Sequence, residues 1–147
     1  MYEESKVYKC KEKKSGRSYC VKIEKFSELD DYYREKVLNR FRFIQNVDHP
    51  YSVRMIDAFK DHEAYYMVME RIFDSISLRD YIKDKSEDGW LSEIEAATIA
   101  RQLVVYIRCL RNLKIAHRDI SPRSIILQFK NEKIACIKIM TYCSATV

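Results

Sequence analysis

The sequence predicts an α+β fold, with a small sheet-rich first half and a largely helical second half. Three observations carry the prediction. Residues 7–25 and 51–70 contain short strand-like runs broken by polar turns. Ser92-Glu93-Ile94-Glu95 is a capping box, and apolar residues recur every third or fourth position after it as far as Leu113. The chain then closes on two further apolar runs separated by a charged turn. At 147 residues there is material for one domain rather than two.

Val7 to Cys10 and Tyr19 to Lys25 read as strands around the polar hairpin "KEKKSGRS", with Gly16 as its turn residue. In the second strand Tyr19, Val21 and Ile23 share one face and Cys20, Lys22 and Glu24 share the other. Ser27 is the N-cap candidate for a helix through "ELDDYYREKVLNRFRFIQNV", whose acidic first turn suits the helix dipole. Tyr33, Val37, Phe41 and Ile44 form its apolar stripe, and Arg40 falls on that stripe. Asp48-His49-Pro50 ends this region. "YSVRMIDAFK" and "AYYMVME" read as strands around the turn "DHE", and "SLRDYIKDK" as a short helix. In the long helix opened by Ser92, one stripe is Ala96, Ile99, Leu103, Tyr106 and Leu110; Ala97, Ala100, Val104 and Ile107 widen it. Such a helix expects cover on most sides.

Net charge is +5, but the signs are mixed along the chain and no basic stripe carries interleaved aromatics, so nucleic acid is not an expected partner. No apolar run reaches membrane-spanning length and the N-terminus has no signal core. Cysteines 10, 20, 109, 136 and 143 are odd in number with no C-x-x-C pair, which reads as free thiols in a reducing compartment. The expected location is the cytoplasm or nucleus.

His117-Arg118-Asp119 lies between the long helix and the closing hairpin, "SIILQF" to "IACIKIM". With its neighbours this arrangement resembles the eukaryotic protein kinases. "YCVKI" is similar to the family's V-A-I-K strand, "HPYSVRMIDAF" and "YYMVME" to its next two strands, and "LSEIEAATIARQL" to the helix before the catalytic loop. The extra turn "KNEKIAC" resembles calcium/calmodulin-regulated and calcium-dependent serine/threonine kinases. The resemblance covers essentially the whole chain. It implies a partial kinase-like domain: an N-lobe over residues 1–70, then hinge, long helix and catalytic-loop region over 71–147. It implies Lys22 as the phosphate lysine and Asp119 as the catalytic base. Met69, Glu70 and Ile72 take gatekeeper and hinge positions, and Val7, Cys20 and Ile126 take positions that enclose adenine. Met55, Ile44, Tyr142 and His117 match the apolar stack that ties the family's two halves together.

Phosphoryl transfer needs few groups, and they are specific. The glycine-rich loop position holds "MYEESK", with no glycine and with Glu3 and Glu4 set to repel phosphate. Arg40 stands where a helix glutamate would pair with Lys22. At about 4 Å and an effective dielectric of about 20, that swing is several kcal/mol in the wrong direction. Ser121 replaces the loop lysine and Ser124 the metal-binding asparagine. Thr141-Tyr142-Cys143 takes the place of D-F-G, so a hydroxyl replaces the magnesium-chelating carboxylate and Cys143 the glycine hinge. An activation segment and later helices do not occur within these 147 residues. The expectation is a pseudokinase or fragment with vestigial Lys22 and Asp119. No metal site and no obligatory cofactor are expected, ATP would bind weakly at most, and the partner would be a protein, with another kinase among the candidates. The alternatives are an active kinase with atypical metal use and a truncated product without function.

Overall fold

Successive side chains of a strand point to opposite faces, so a sheet can carry two unlike faces. The computed structural model describes residues 7–28, 34, 47–84 and 90–140. The chain divides into two compact units, Met1–Asn46 with Arg54–Arg71, and Val47–Val53 with Ile72–Val147. The α+β class and the kinase-like arrangement hold.

In the first unit, β1 (Val7–Lys11), β2 (Ser18–Lys25), β3 (Met55–Lys60) and β4 (Ala64–Glu70) form an antiparallel sheet in the order β1-β2-β4-β3. Gly16 closes the first hairpin at φ 71°, a conformation glycine adopts without a Cβ clash. The register pairs Cys20 with Met69, Lys22 with Met67 and Glu24 with Tyr65, so these residues share one face. Tyr65, Met67 and Met69 are buried there, at 4%, 1% and 1% exposure. A 3₁₀ turn follows at Phe26–Glu28, where Ser27 was expected to cap a helix. Arg34 is helical and donates from Nη2 to the Phe26 carbonyl at 2.9 Å. The expected helix stripe, including Arg40 and Ile44, otherwise lies outside the described residues.

The second unit holds β5 (Ser75–Ser77), α1 (Leu78–Asp84), α2 (Glu93–Asn112), β6 (Ile125–Lys130) and β7 (Lys133–Ile139), with its sheet in the order β5-β6-β7. Both halves of the Ser92/Glu95 capping box form. The C-terminus of α2 closes as a Schellman motif, with Lys114 N–H on the Arg111 carbonyl and Ile115 N–H on that of Leu110. Lys114 sits at φ 57°, where glycine is the usual occupant. Ile99, Tyr106 and Leu110 of α2 join Leu127, Ile137 and Ile139 in one core. The expected cover on the other face of α2 is not provided by the described residues: Val104 and Ile107 are 56% and 43% exposed.

Residues 51–60 were expected to be one strand. Only Met55–Lys60 enters the first sheet, while Ser52 bridges to Ile139. The Ile139 N–H donates to the Tyr51 carbonyl at 2.8 Å and the Val53 N–H to the Ile139 carbonyl at 3.1 Å. This segment covers the free edge of β7, as does Gln102, whose Oε1 accepts from the Ile137 N–H at 2.7 Å. The Val47–Val53 segment therefore belongs with the second unit, which the division at residue 70 did not anticipate.

Replacing Lys114 by glycine removes the left-handed penalty at the α2 cap and should stabilise the protein by about 0.5–1 kcal/mol. A rise in the urea midpoint at unchanged m-value would show it.

Candidate functional site

A lysine on the covered face of a sheet needs a counter-charge, and the strand supplies its own. Residues two apart on a strand point the same way. Lys22 Nζ lies 2.8 Å from Glu24 Oε1, with the two side chains 6% and 9% exposed. Reading Lys22 against the residue at position 40 missed this pair. The signal was the shared face of Lys22 and Glu24 in the alternation of β2.

The same face collects most of the expected nucleotide-contacting residues of the first unit. Val7 pairs with Lys22 across β1–β2, and Cys20 lies beside Met69. Val7 is 43% exposed, whereas Met69 is buried. Burial raises the pKa of the Cys20 thiol, partly offset by Arg71, and so holds it protonated. Glu70 has the opposite parity, and its Oε1 accepts from the Arg54 N–H at 3.0 Å.

In the second unit, polar groups within the 117–124 loop bond to one another. Arg118 adopts φ 59°. Asp119 is exposed, and its N–H donates to Nδ1 of the buried His117 at 3.2 Å. The Ser124 hydroxyl is 3.0 Å from the carbonyls of both Asp119 and Ser121, and it accepts from the Ser121 N–H at 3.0 Å. Ser124 is 8% exposed. Its oxygen is thus a staple that closes the loop, and its proton is shared between two carbonyls. That bonding leaves it ill-suited to a hard dication, which wants carboxylate or carbonyl oxygens. Among the described residues no group of three His, Cys, Asp or Glu side chains is placed to hold a metal. Among the described residues, the Ser124 hydroxyl bonded in this way does not fit a magnesium ion. Ile126 and Ile72 are half-buried in this unit. The expected positions Thr141, Tyr142 and Cys143, and the loop position at residues 1–6, lie outside the described residues.

Behind the loop stands a ring cluster. Tyr106, fully buried, lies 5.6 Å from His49 and 6.2 Å from His117, centroid to centroid. Burial lowers the pKa of both histidines. Lys138 lowers that of His49 further, and Asp119 partly opposes the shift at His117.

Lysine on an inner strand, H-R-D after a long helix and a hairpin behind it now stand in one chain, and known proteins share the arrangement. The protein kinase domain family matches residues 3–147. This chain belongs to that family. Myosin light chain kinase A of Dictyostelium discoideum is 29% identical over 128 residues, covering 87% of this chain and 42% of that protein. Calcium-dependent protein kinase 4 of Plasmodium falciparum is 27% identical over 137 residues, covering 92% and 25%. The crystal structure of Rad53 1–466 in complex with AMP-PNP superposes with a TM-score of 0.74 at 27% identity, over 95% of this chain and 34% of that one. The chain thus spans less than half the length of these relatives. The kinase type is serine/threonine, and the fold is that of part of a kinase domain. No helix among the described residues is long and apolar enough to cross a membrane.

Two predictions follow from these geometries. Glu24→Gln should destabilise the first unit by about 1–3 kcal/mol, because it removes the carboxylate 2.8 Å from a buried ammonium. The double variant Lys22→Met/Glu24→Leu should recover most of that loss in denaturant melts.

The second concerns pH. A histidine whose folded pKa lies below the ordinary 6.5 binds its proton less readily when folded. The unfolded chain then takes up more protons as pH falls through 6.5, so stability is full above that value and declines below it. The thermal midpoint should be level above pH ~7 and fall between ~6.5 and ~5, a window in which ordinary carboxylates stay ionised. The slope should flatten in His49→Phe/His117→Phe.

Proposed function

We propose that this kinase-family domain does not transfer phosphate and acts by binding another protein. The observation that carries the reading is Ser124. A residue at the metal-ligand position spends its hydroxyl on the carbonyls and amide of its own loop. The identities at Thr141, Arg40, Ser121 and Cys143 support the same conclusion from the sequence. Phosphoryl transfer depends on positioning and on neutralising charge through the metal, and these substitutions remove the groups that would do both. Nucleotide, if it enters, binds weakly and without magnesium, and the residues of the first unit that would meet it are Val7, Cys20, Lys22, Met69 and Glu70. The partner is a protein, with another kinase the leading class, in the cytoplasm or nucleus; neither nucleic acid nor a membrane takes part.

One observation favours the opposite reading, an active serine/threonine kinase with atypical metal use. Lys22 has a carboxylate partner after all, and Asp119 remains exposed. Transfer of labelled phosphate from magnesium-ATP, measured on parent and Asp119→Asn, separates the two. The expected result is no transfer and no magnesium-dependent thermal shift in the parent. Ser124→Asn/Thr141→Asp should introduce such a shift, about 2.7 kcal/mol when ligand exceeds Kd a hundredfold. Transfer by the parent that Asp119→Asn abolishes would overturn the proposal.

A further inference from the structure

The ion pair on the inner face of β2 turns that strand's aliphatic residues outward. The water-facing side of an antiparallel sheet is ordinarily polar. Here the register assembles tiers of apolar side chains across it: Tyr8, Val21 and Val68 in one, Ile23, Tyr66 and Phe59 in the next. Tyr8 and Phe59 are 48% and 51% exposed, and Val21, Ile23, Tyr66 and Val68 are half-buried. Phe59 stacks on Tyr66 with centroids 5.0 Å apart and planes within 16°. The platform therefore runs from edge strand β1 to edge strand β3.

Its rim is acidic. Asp57 ends one tier, opposite Val68, and Glu70 lies one step along β4. The β3–β4 turn adds Glu63 and Asp61, whose carboxylate accepts from the Tyr66 hydroxyl at 2.8 Å. Backbone N–H groups of Glu63 and Ala64 reach the same carboxylate. These bonds, that of Glu63 foremost, lower its pKa and keep it charged. Lys25, opposite Ala64, is the basic residue of these rows, and in the turn His62 Nε2 lies 3.5 Å from Glu63 Oε1.

We propose that this outer face of the first sheet is the docking surface for a basic amphipathic helix of a separate protein, with apolar side chains on the Tyr8–Val21–Ile23–Tyr66–Phe59 platform and Lys or Arg against the rim. The inference rests on the reading that the domain works by binding protein, and names where. Four strands spaced about 4.8 Å make a face about 15 Å wide, which fits one helix about 10 Å across. Stacked rings on a sheet also suit nucleobases, but acids at the rim repel phosphate. They equally repel an anionic bilayer, and a second copy would bring the same acids against each other.

The test uses the whole chain and a synthetic Leu/Lys amphipathic peptide of roughly 18 residues, with a Leu/Glu analogue of the same pattern. In fluorescence anisotropy the Lys peptide should bind with Kd below about 100 µM and the Glu analogue should not. Val21→Thr/Phe59→Ser should weaken binding by roughly tenfold. Asp57→Asn/Glu63→Gln leaves the platform intact. It should weaken binding less and flatten its salt dependence. Circular dichroism identical to the parent would establish that each variant is folded. Equal binding by parent and folded variants would overturn the proposal. So would equal binding of the Glu analogue. Binding of anionic vesicles or poly(U), or self-association, that the platform variant abolishes would assign the face to a different occupant and overturn it too. A chain that transfers phosphate would refute the functional reading while leaving the peptide result standing, so the two failures are distinguishable.

Discussion

Two opposite charges lie side by side on the inner face of β2, and the first unit is organised around them. A lone buried ammonium costs several kcal/mol in lost hydration, and attraction at short range offsets this only when geometry is good. A 2.8 Å contact between residues on the same strand meets that condition, because the backbone itself sets their spacing. The consequence reaches across the strand. With alternate positions committed to Lys22 and Glu24, the intervening Val21 and Ile23 must face away from Tyr65, Met67 and Met69. The strand thus pairs a charged inner face with an apolar outer one, the reverse of the usual arrangement.

The contact between Lys22 and Glu24 is set within one strand, because residues two apart on a strand point the same way. Local closure also marks the second unit. The Ser124 hydroxyl bonds to the carbonyls of Asp119 and Ser121 and accepts from the Ser121 N–H, each bond worth roughly 1 kcal/mol. The Arg79 N–H on the Pro122 carbonyl and the Met140 N–H on that of Ser124 tie the same loop to the strands and helix around it.

Much of this was legible in the sequence, and the reasons are physical. The alternating faces of residues 19–25 marked β2, and apolar runs between polar turns marked β4, β6 and β7, each of which buries part of its length. The capping box fixed the start of α2 because its two hydrogen bonds are formed by residues three apart. The missed features are those whose cause is not local. β5 is three residues long and exists because Ile76 pairs with Leu127, fifty-one residues on. The run at 51–60 reads as one strand, yet its first part is claimed by Ile139. Glu24 was visible as a face-mate of Lys22, but a partner was sought only on the helix. The bonds of the Ser124 hydroxyl depend on the loop closing back on Ser121, which composition does not specify.

These features bear on what family membership conveys. The kinase fold rests on apolar contacts and backbone pairing, and these are retained: Tyr106, Leu127, Ile137 and Ile139 are each fully buried. Such contacts tolerate substitution of site residues, because the site contributes little to the core. Catalysis rests on a handful of oxygens and nitrogens whose identity matters more than their surroundings. A chain can therefore lose the second set while the first continues to specify the structure. In this chain Lys22 lies against Glu24 and the Ser124 hydroxyl closes its own loop, so both polar groups are satisfied locally while the apolar core specifies the fold.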